Sequence, residues 1–186
     1  MNTQQFENKI VLVTGASSGI GKAAALEYAK RGATVIGVAR NEKAGAALEQ
    51  EAQAEQLKVD FFKADVSDEQ EVDALLAYIE EKYGRLDIAF NNAGISGIHA
   101  PIVNAEKKDW DHIISVNLTS NFLLMRAEVR LMLKKGNQGS IVNTSSIGGL
   151  TGASNLAAYA ASKSGLIGLS KVVAMEYARL GIRVNV

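Results

Sequence analysis

Several residue types and patterns are missing from this sequence. It contains no cysteine, which excludes disulfides, thiolate metal sites and a cysteine nucleophile. No apolar run is long enough to cross a bilayer, and the start, MNTQQFENK, lacks the basic-then-apolar pattern of a secretory signal. The net charge is zero, which favours neither a nucleic-acid nor a membrane partner. His99 and His112 are not spaced as a helical metal pair, so no metal site is expected. The missing signal and membrane span predict a cytoplasmic protein.

What is present is an alternation of short apolar runs and longer helical patterns, over a length typical of one domain, residues 1–186. The predicted strands are 9–14, 33–39, 58–64, 86–90, 139–145 and 182–186. Helices are predicted near 19–31, 41–56, 68–83, 109–135 and 157–180. The third of these begins with a predicted capping box that starts at Ser67. This order predicts an α/β fold with a doubly wound, Rossmann-like parallel sheet in a three-layer α/β/α arrangement.

The segment TGASSGIG, residues 14–21, follows the first predicted strand and opens the first predicted helix. Gly15, Gly19 and Gly21 let the backbone turn tightly and approach a ligand closely. The free N–H groups and positive dipole end of the helix favour a pyrophosphate. The spacing is G-x-x-x-G-x-G rather than G-x-G-x-x-G, and glycine is also ordinary punctuation in such turns. Within an α/β pattern we interpret the segment as a nucleotide-binding turn.

Four segments together resemble the short-chain dehydrogenase/reductase family: TGASSGIG, NNAG at 91–94, IVNTSS at 141–146 and YAASK at 159–163. They stand in the family's order, and the resemblance covers essentially the whole chain. The resemblance implies hydride transfer between a nicotinamide cofactor and a carbonyl or secondary alcohol carbon. In the first turn it implies cofactor contacts at Gly15, Ser17, Ser18, Gly19, Ile20 and Gly21.

Members of this family usually continue beyond GIRVN through a Pro-Gly turn, a mobile segment that covers the substrate and a last strand. This chain stops inside its sixth predicted strand, at Val186. We therefore expect that it is a truncated member of the family, lacking the part most informative about the substrate. The apolar loop at 95–103 is expected to line what remains of the substrate site.

The end of the second predicted strand, Val38-Ala39-Arg40-Asn41, bears on the choice of dinucleotide. An acid at this point bonds the ribose hydroxyls of NAD, but here Ala39 stands in its place and Arg40 follows. A guanidinium can hold a phosphate through two parallel hydrogen bonds. We therefore predict NADP(H) over NAD(H), with Arg40 and Asn41 as cofactor contacts. The alternative is an ordinary surface arginine at a strand end.

Two further cofactor segments follow the third and fourth predicted strands. By resemblance, Asp65 would meet the adenine amino group and Val66 would line the ring, although Asp65 also suits the start of the next helix. Asn92, Ala93 and Gly94 would, by the same resemblance, pass close to the adenosine ribose and brace the sheet.

Tyr159 and Lys163 are four residues apart in the last predicted helix, so they share one face of it. A nearby ammonium favours the charged form of a phenol, and a positively charged nicotinamide adds to that effect. Such a tyrosine can exchange a proton near neutral pH. By itself the pair is common on solvated helices. Beside a dinucleotide site, we interpret Tyr159 as the acid/base and Lys163 as the residue that tunes it and binds the nicotinamide ribose.

Ser146 lies thirteen residues before Tyr159, where the family places the serine that orients the substrate. It would hydrogen-bond the substrate oxygen and stabilise developing negative charge; its neighbour Ser145 fits the pattern less well. Asn117 falls inside an apolar helical pattern, and by resemblance would hold a water in a proton relay that reaches Lys163. A solvent-facing asparagine is the alternative.

The predicted helices 109–135 and 157–180 are apolar around much of their circumference. One sheet face covers only one stripe of a helix, so a further partner is expected. In the family these helices pack against copies of themselves, which implies a homodimer or homotetramer. The predicted function is an NADP(H)-dependent oxidoreductase acting on a small ketone or secondary alcohol. The alternatives are a non-enzymatic dinucleotide-binding or scaffold protein and, less favoured, a nucleotide-sugar epimerase or dehydratase.

Overall fold

The computed structural model describes residues 4–134, 136 and 138–186. Six parallel strands form one sheet in the order β3-β2-β1-β4-β5-β6. The strands are β1 Ile10–Thr14, β2 Thr34–Ala39, β3 Val59–Lys63, β4 Ile88–Asn91, β5 Gly139–Asn143 and β6 Ile182–Asn185. The helices are α1 Gly19–Lys30, α2 Glu42–Ala54, α3 Glu69–Tyr83, α4 Lys107–Ile114, α5 Ser120–Lys134, α6 Gly148–Thr151 and α7 Ala157–Tyr177. Short 3₁₀ turns occupy Ile102–Asn104 and Ala178–Leu180.

Helices cover both faces of the sheet, which confirms the predicted three-layer fold. Successive strand side chains point to opposite faces, so Val11 and Val13 join the core under α1 and α2, where Ala25 and Leu48 are also buried. Leu12 points the other way, into the larger core formed with α3, α5 and α7. Strands buried on both faces explain why the sequence reads as nearly continuous apolar runs.

The order of the strands determines where a ligand fits. The chain builds outwards from β1 through β2 to β3, and then crosses back to β4 on the other side of β1. Ligands of open α/β sheets bind in the crevice that this reversal leaves at the carboxyl ends of the strands. The loops after β1 and β4 begin at Gly15 and Asn92, which places both predicted motifs at this crevice.

The start of α3 differs from the prediction. Asp68, not Ser67, is the N-cap: its carboxylate accepts hydrogen bonds from the backbone N–H groups of Gln70 at 2.8 Å and Glu71 at 3.1 Å. The Ser67 hydroxyl instead donates to Asp65 Oδ1 at 2.6 Å. An ionised carboxylate is the stronger acceptor for two N–H groups and is favoured by the helix dipole. The predicted box was therefore wrong by one residue.

The predicted helix 109–135 is interrupted. A π-helical turn, Ser115–Thr119, separates α4 from α5, and the last residue of the predicted range, Lys135, lies outside the described residues. π turns inside α-helices frequently occur at functional sites, and this one carries Asn117. No helix in the described part of the chain is long and apolar enough to cross a membrane.

Candidate functional site

The turn between β1 and α1 requires glycine at three points. Gly15 and Gly19 have φ angles of +69° and +53°, in the left-handed region that side chains disfavour. Gly21 has an ordinary φ, but a Cβ there would collide with the carbonyl oxygen of Gly15 and would lie 2.8 Å from Asn92 Nδ2. The three glycines therefore allow the start of α1 to press against the turn and the loop after β4.

The N-terminus of α1 is open to an anion. Ser18 is its N-cap residue, but its side chain makes no capping hydrogen bond, and no acidic residue lies in the first turn. The first N–H groups of a helix need an acceptor, and the helix dipole favours a negative one. A pyrophosphate meets both requirements, so these residues fit a dinucleotide.

A cleft of about 680 Å³ extends from this turn along the carboxyl edge of the sheet. Its lining includes the predicted cofactor residues Gly15, Ser17, Ser18, Gly19, Ile20, Arg40, Asn41, Asp65, Val66, Asn92, Ala93 and Gly94. Two predicted cofactor contacts are absent from the lining: Gly21, which lies behind the turn, and Lys163, which was predicted to bind the nicotinamide ribose. Three lining residues were not predicted, since they are apolar residues that belong to no motif: Val38, Ala64 and Val116. Ile95, also in the lining, begins the loop 95–103 that was expected at the substrate site.

Arg40 and Asp65 are in contact at the edge of the cleft. Arg40 Nη1 lies 3.5 Å from Asp65 Oδ2, while Asp65 Oδ1 accepts from the Ser67 backbone N–H and hydroxyl. Burial disfavours the charged form of Asp65, but the Ser67 hydrogen bonds and the Arg40 charge outweigh it and lower the pKa of this carboxyl. Asp65 thus organises the turn into α3, the alternative role considered for it. The Asn41 side chain caps α2 by accepting from the Ala44 N–H at 3.0 Å.

Thr14, the last residue of β1, holds the loop after β4, a role that was not predicted from the sequence. Its buried hydroxyl oxygen accepts from the backbone N–H groups of Asn92 at 3.0 Å and Ala93 at 3.1 Å. Asn92 Nδ2 donates in turn to the Thr14 carbonyl at 3.3 Å. As a β-branched residue at the end of β1, Thr14 gave no signal beyond strand propensity. Its hydroxyl fixes the two nucleotide-facing loops to one another.

Tyr159 and Lys163 lie together on α7, at the end of the cleft. Lys163 Nζ is 5.9 Å from the centre of the Tyr159 ring and donates to the Thr144 carbonyl at 2.7 Å. A Cβ on Gly94 would lie 3.4 Å from the same Nζ, so the lysine reaches the cofactor loop. Burial lowers the pKa of Lys163, which makes its proton easier to release.

Ser146 is near the tyrosine, whereas Ser145 is engaged elsewhere. A Cβ on Gly148 would lie 3.6 Å from Ser146 Oγ and 3.7 Å from Tyr159 Cε1, which places the hydroxyl and the ring around one point. Ser146 Oγ accepts from the Gly148 N–H at 3.1 Å and keeps its own proton to donate. The Ser145 hydroxyl donates to the carbonyl of Lys163 at 3.0 Å.

Asn117 is fully buried, so the solvent-facing alternative is wrong. Its Oδ1 accepts from the Ile95 N–H and its Nδ2 donates to the Ile95 carbonyl, both at 2.8 Å. Nδ2 also lies 3.2 Å from Ser162 Oγ on α7. Asn121, another residue not anticipated, donates from Nδ2 to the Asn117 carbonyl at 2.8 Å. These bonds hold the π turn between the loop after β4 and α7.

Comparison with known proteins identifies the family of this chain. The family model described as short chain dehydrogenase matches residues 9–186. The chain belongs to the short-chain dehydrogenase family. This short-chain dehydrogenase is 49% identical over 181 residues to the 3beta-hydroxysteroid dehydrogenase of Mediterraneibacter gnavus, covering 97% of the chain and 65% of that protein. It is 39% identical over 188 residues to the levodione reductase of Leifsonia aquatica, covering 98% of the chain and 69% of that protein.

Solved structures give the same assignment. An NAD⁺-bound xylitol dehydrogenase superposes with a TM-score of 0.93 at 33% identity, covering 97% of the chain and 69% of that structure. A levodione reductase superposes with the same TM-score at 38% identity, covering 97% and 70%. The chain therefore shares its fold with these proteins and spans about two thirds of their length.

Proposed function

We propose that this chain is the cofactor-binding and catalytic part of an NADP(H)-dependent oxidoreductase that interconverts a ketone and a secondary alcohol. The observation that carries the proposal is the convergence of Asn117, Ser146, Tyr159 and Lys163 at the end of the dinucleotide cleft. Relatives include a 3beta-hydroxysteroid dehydrogenase, a levodione reductase and a cyclohexanol dehydrogenase. A non-enzymatic scaffold is not favoured, since it has no use for this group of residues.

When bound, the nicotinamide supplies or accepts the hydride; the residues of this chain orient the partners and move the proton. Ser146 would donate a hydrogen bond to the substrate oxygen, stabilising negative charge on it as the carbonyl is reduced. The Tyr159 hydroxyl would give its proton to that oxygen, or take it in the oxidative direction. Lys163 would keep a positive charge beside the phenol and would hold the nicotinamide ribose. Asn117 keeps the cofactor loop and α7 in register through Ile95 and Ser162.

Arg40 supports NADP(H) as the cofactor. It stands beside Ala39, where an acid would repel a 2′-phosphate, and 59% of its side chain is exposed. A partly exposed ion pair such as Arg40–Asp65 is weak, so a dianionic phosphate can engage the guanidinium without a large cost. Asp65 would then orient the Arg40 guanidinium through their contact at 3.5 Å.

We expect Arg40→Ala to weaken NADPH binding by about 1.5 kcal/mol relative to NADH, or roughly tenfold in Kd, the lower end for a hydrogen bond to a charged group because the site is exposed. Paired titrations of this chain with NADPH and NADH, followed by nicotinamide fluorescence, measure the difference. Lys43→Ala, an exposed residue in the first turn of α2, is the control. Equal losses for both cofactors in Arg40→Ala would contradict a phosphate-binding role, and a parent chain that prefers NADH would overturn the cofactor assignment.

The substrate is proposed only as a class, a small ketone or secondary alcohol. Exposed apolar side chains flank the catalytic group on two sides. Ile98 and Ile102 lie on the loop before α4, and Ile147 and Leu150 lie after β5, at and within the short helix α6. The Ala100 N–H donates to the Asn155 carbonyl at 3.0 Å and ties these loops together. Apolar walls around one polar group suit an alicyclic alcohol, so cyclohexanol and a 3β-hydroxysteroid are the first probes.

A second copy of this chain is the proposed partner. A groove of about 400 Å³ runs between α5 and α7, and its rim exposes Phe122 and Val172. Met175 on α7 is 81% exposed. Arg130 and Glu176 also line the groove, which gives two copies related by a twofold axis a complementary pair of charges.

We predict that Val172→Glu converts the assembled chain to a monomer, because it places one uncompensated charge per copy in the interface. Val172 is 51% exposed in the single chain, so folding should be little affected. Light scattering gives the mass. The matched control is Val103→Glu, an 86% exposed valine on the loop before α4. A clean monomer of the unmodified chain would exclude the homo-oligomer.

A further inference from the structure

A buried polar network lies at the ends of β4 and β5, next to the loops that follow these two strands. Glu128 on α5 is fully buried, and its Oε2 accepts from Asn91 Nδ2 at 3.1 Å. The same Nδ2 donates to Asn143 Oδ1 at 3.0 Å, and Asn143 Nδ2 donates to Ser170 Oγ at 2.9 Å. The network therefore joins α5, the last residue of β4, the last residue of β5 and α7.

Two acceptors in this network have no partner among the described residues, Glu128 Oε1 and Asn91 Oδ1. An ionised carboxylate only accepts hydrogen bonds, and the single Asn91 amide leaves one oxygen of each group unsatisfied. Buried polar atoms are nearly always paired, since an unpaired one loses its hydration without compensation. One proton on Glu128 supplies the missing donor.

Among the residues that the structure describes, no cation pairs with Glu128. Asn91 faces it from β4 and Asn143 lies next along the network on β5. On its own helix Arg126 pairs with Glu69 of α3, and on α7 Lys163 donates to the Thr144 carbonyl. Burial raises the pKa of Glu128 to about 8, while the Asn91 hydrogen bond acts in the lowering direction.

We propose that Glu128 is an uncharged carboxylic acid that donates to Asn91 and so fixes the spacing between the ends of β4 and β5. Asn91 immediately precedes the cofactor loop 92–94, and Asn143 immediately precedes Thr144, whose carbonyl holds Lys163. Glu128 is then a positioning residue, a role that rests on the proposed function because it acts through those two loops. Its proton state does not depend on that function.

The proton state is tested by difference infrared spectroscopy on the whole chain. A protonated carboxyl has a C=O stretching band apart from the amide bands, and it shifts in heavy water. We expect this band below pH 7, its loss in Glu128→Gln, and its retention in Glu81→Gln, where an exposed glutamate is removed from α3. The band should fade as the pH rises through about 8. Identical spectra for the parent chain and Glu128→Gln would overturn the proposal, whether or not the chain binds a dinucleotide.

The positioning role is tested by NADPH titration of the same variants at two pH values. Glutamine copies the neutral acid, so Glu128→Gln should bind as the parent does at pH 6.5. At pH 9 roughly a tenth of the parent would keep the proton, so its Kd should rise roughly tenfold relative to that of Glu128→Gln. Glu128→Met, which lacks the donor, should bind weakly at both values. A loss of binding in Glu128→Gln at pH 6.5, or the same pH dependence in parent and Glu128→Gln, would contradict the role, and neither comparison requires Glu128→Met to fold.

Discussion

Tyr159→Phe should reduce turnover by roughly 10²- to 10⁴-fold, the usual contribution of a positioned acid/base, while the affinity for NADPH barely changes. The substitution removes one hydroxyl and keeps the ring, which is half-buried on α7. The Lys163 ammonium, 5.9 Å from the ring centre, is left in place. Cofactor binding by fluorescence and turnover of the alcohol probes separate the two effects.

The control for this experiment is Tyr28→Phe on α1, which removes a tyrosine hydroxyl remote from the cleft, where the ring packs edge-on against Phe6. It should leave turnover and NADPH affinity unchanged. Turnover close to normal in Tyr159→Phe would contradict the assignment of this phenol as the acid/base. If NADPH affinity fell as much as turnover in Tyr159→Phe, the main role of the Tyr159 hydroxyl would be to bind the cofactor.

The fold could be predicted because its determinants are local in the sequence. The apolar runs 9–14 and 33–39 contain β1 and β2, and their near-continuous hydrophobicity follows from burial on both faces. The observed boundaries of most elements differ from the predicted ones by one or two residues. Such differences are expected where a strand ends in a polar residue that still pairs with the neighbouring strand. β4, for example, runs to Asn91 because that side chain is buried in the network with Glu128.

The parts that could not be predicted depend on contacts between distant residues. The π turn at Ser115–Thr119 leaves no mark in the apolar periodicity, and its Asn117 is explained only by Ile95 and Ser162. Glu128 is one polar residue in an apolar helical pattern, and only its contact with Asn91, 37 positions away, distinguishes it. The partnership of Arg40 with Asp65 likewise crosses from β2 to β3. Contacts between residues of different elements cannot be predicted from the spacing of residues along one element.

The motifs could be predicted only in part. TGASSGIG indicated a tight turn, yet only the structure separates the reasons for its glycines. Gly19 needs a positive φ and has open space around it, whereas Gly21 needs room because the Gly15 carbonyl fills the place of a side chain. The same residue type thus serves backbone conformation at one position and close packing at the other.

Gly21→Ala should therefore be the most damaging single-methyl change in the turn. The new Cβ meets backbone atoms of Gly15, which cannot move aside as a flexible side chain would, and also approaches Asn92 Nδ2. The start of α1 must shift away from the turn, so its N–H groups lose their aim at the pyrophosphate. Overpacking of this kind costs about 3 kcal/mol, and we expect roughly a 100-fold loss of NADPH affinity.

Gly19→Ala is the matched comparison, since it adds the same methyl group in the same turn with no atom within 4 Å to meet it. Within the protein its cost is conformational strain at φ +53°, roughly 1–2 kcal/mol, which thermal unfolding measures. Because Gly19 also lines the cleft, the methyl group would face the cofactor, and a smaller loss of NADPH affinity than in Gly21→Ala is expected. Titration with NADPH and thermal unfolding of both variants separate collision from strain. If Gly19→Ala lost more affinity than Gly21→Ala, the backbone conformation and ligand clearance at Gly19, rather than close packing of α1, would be the features that shape the phosphate site.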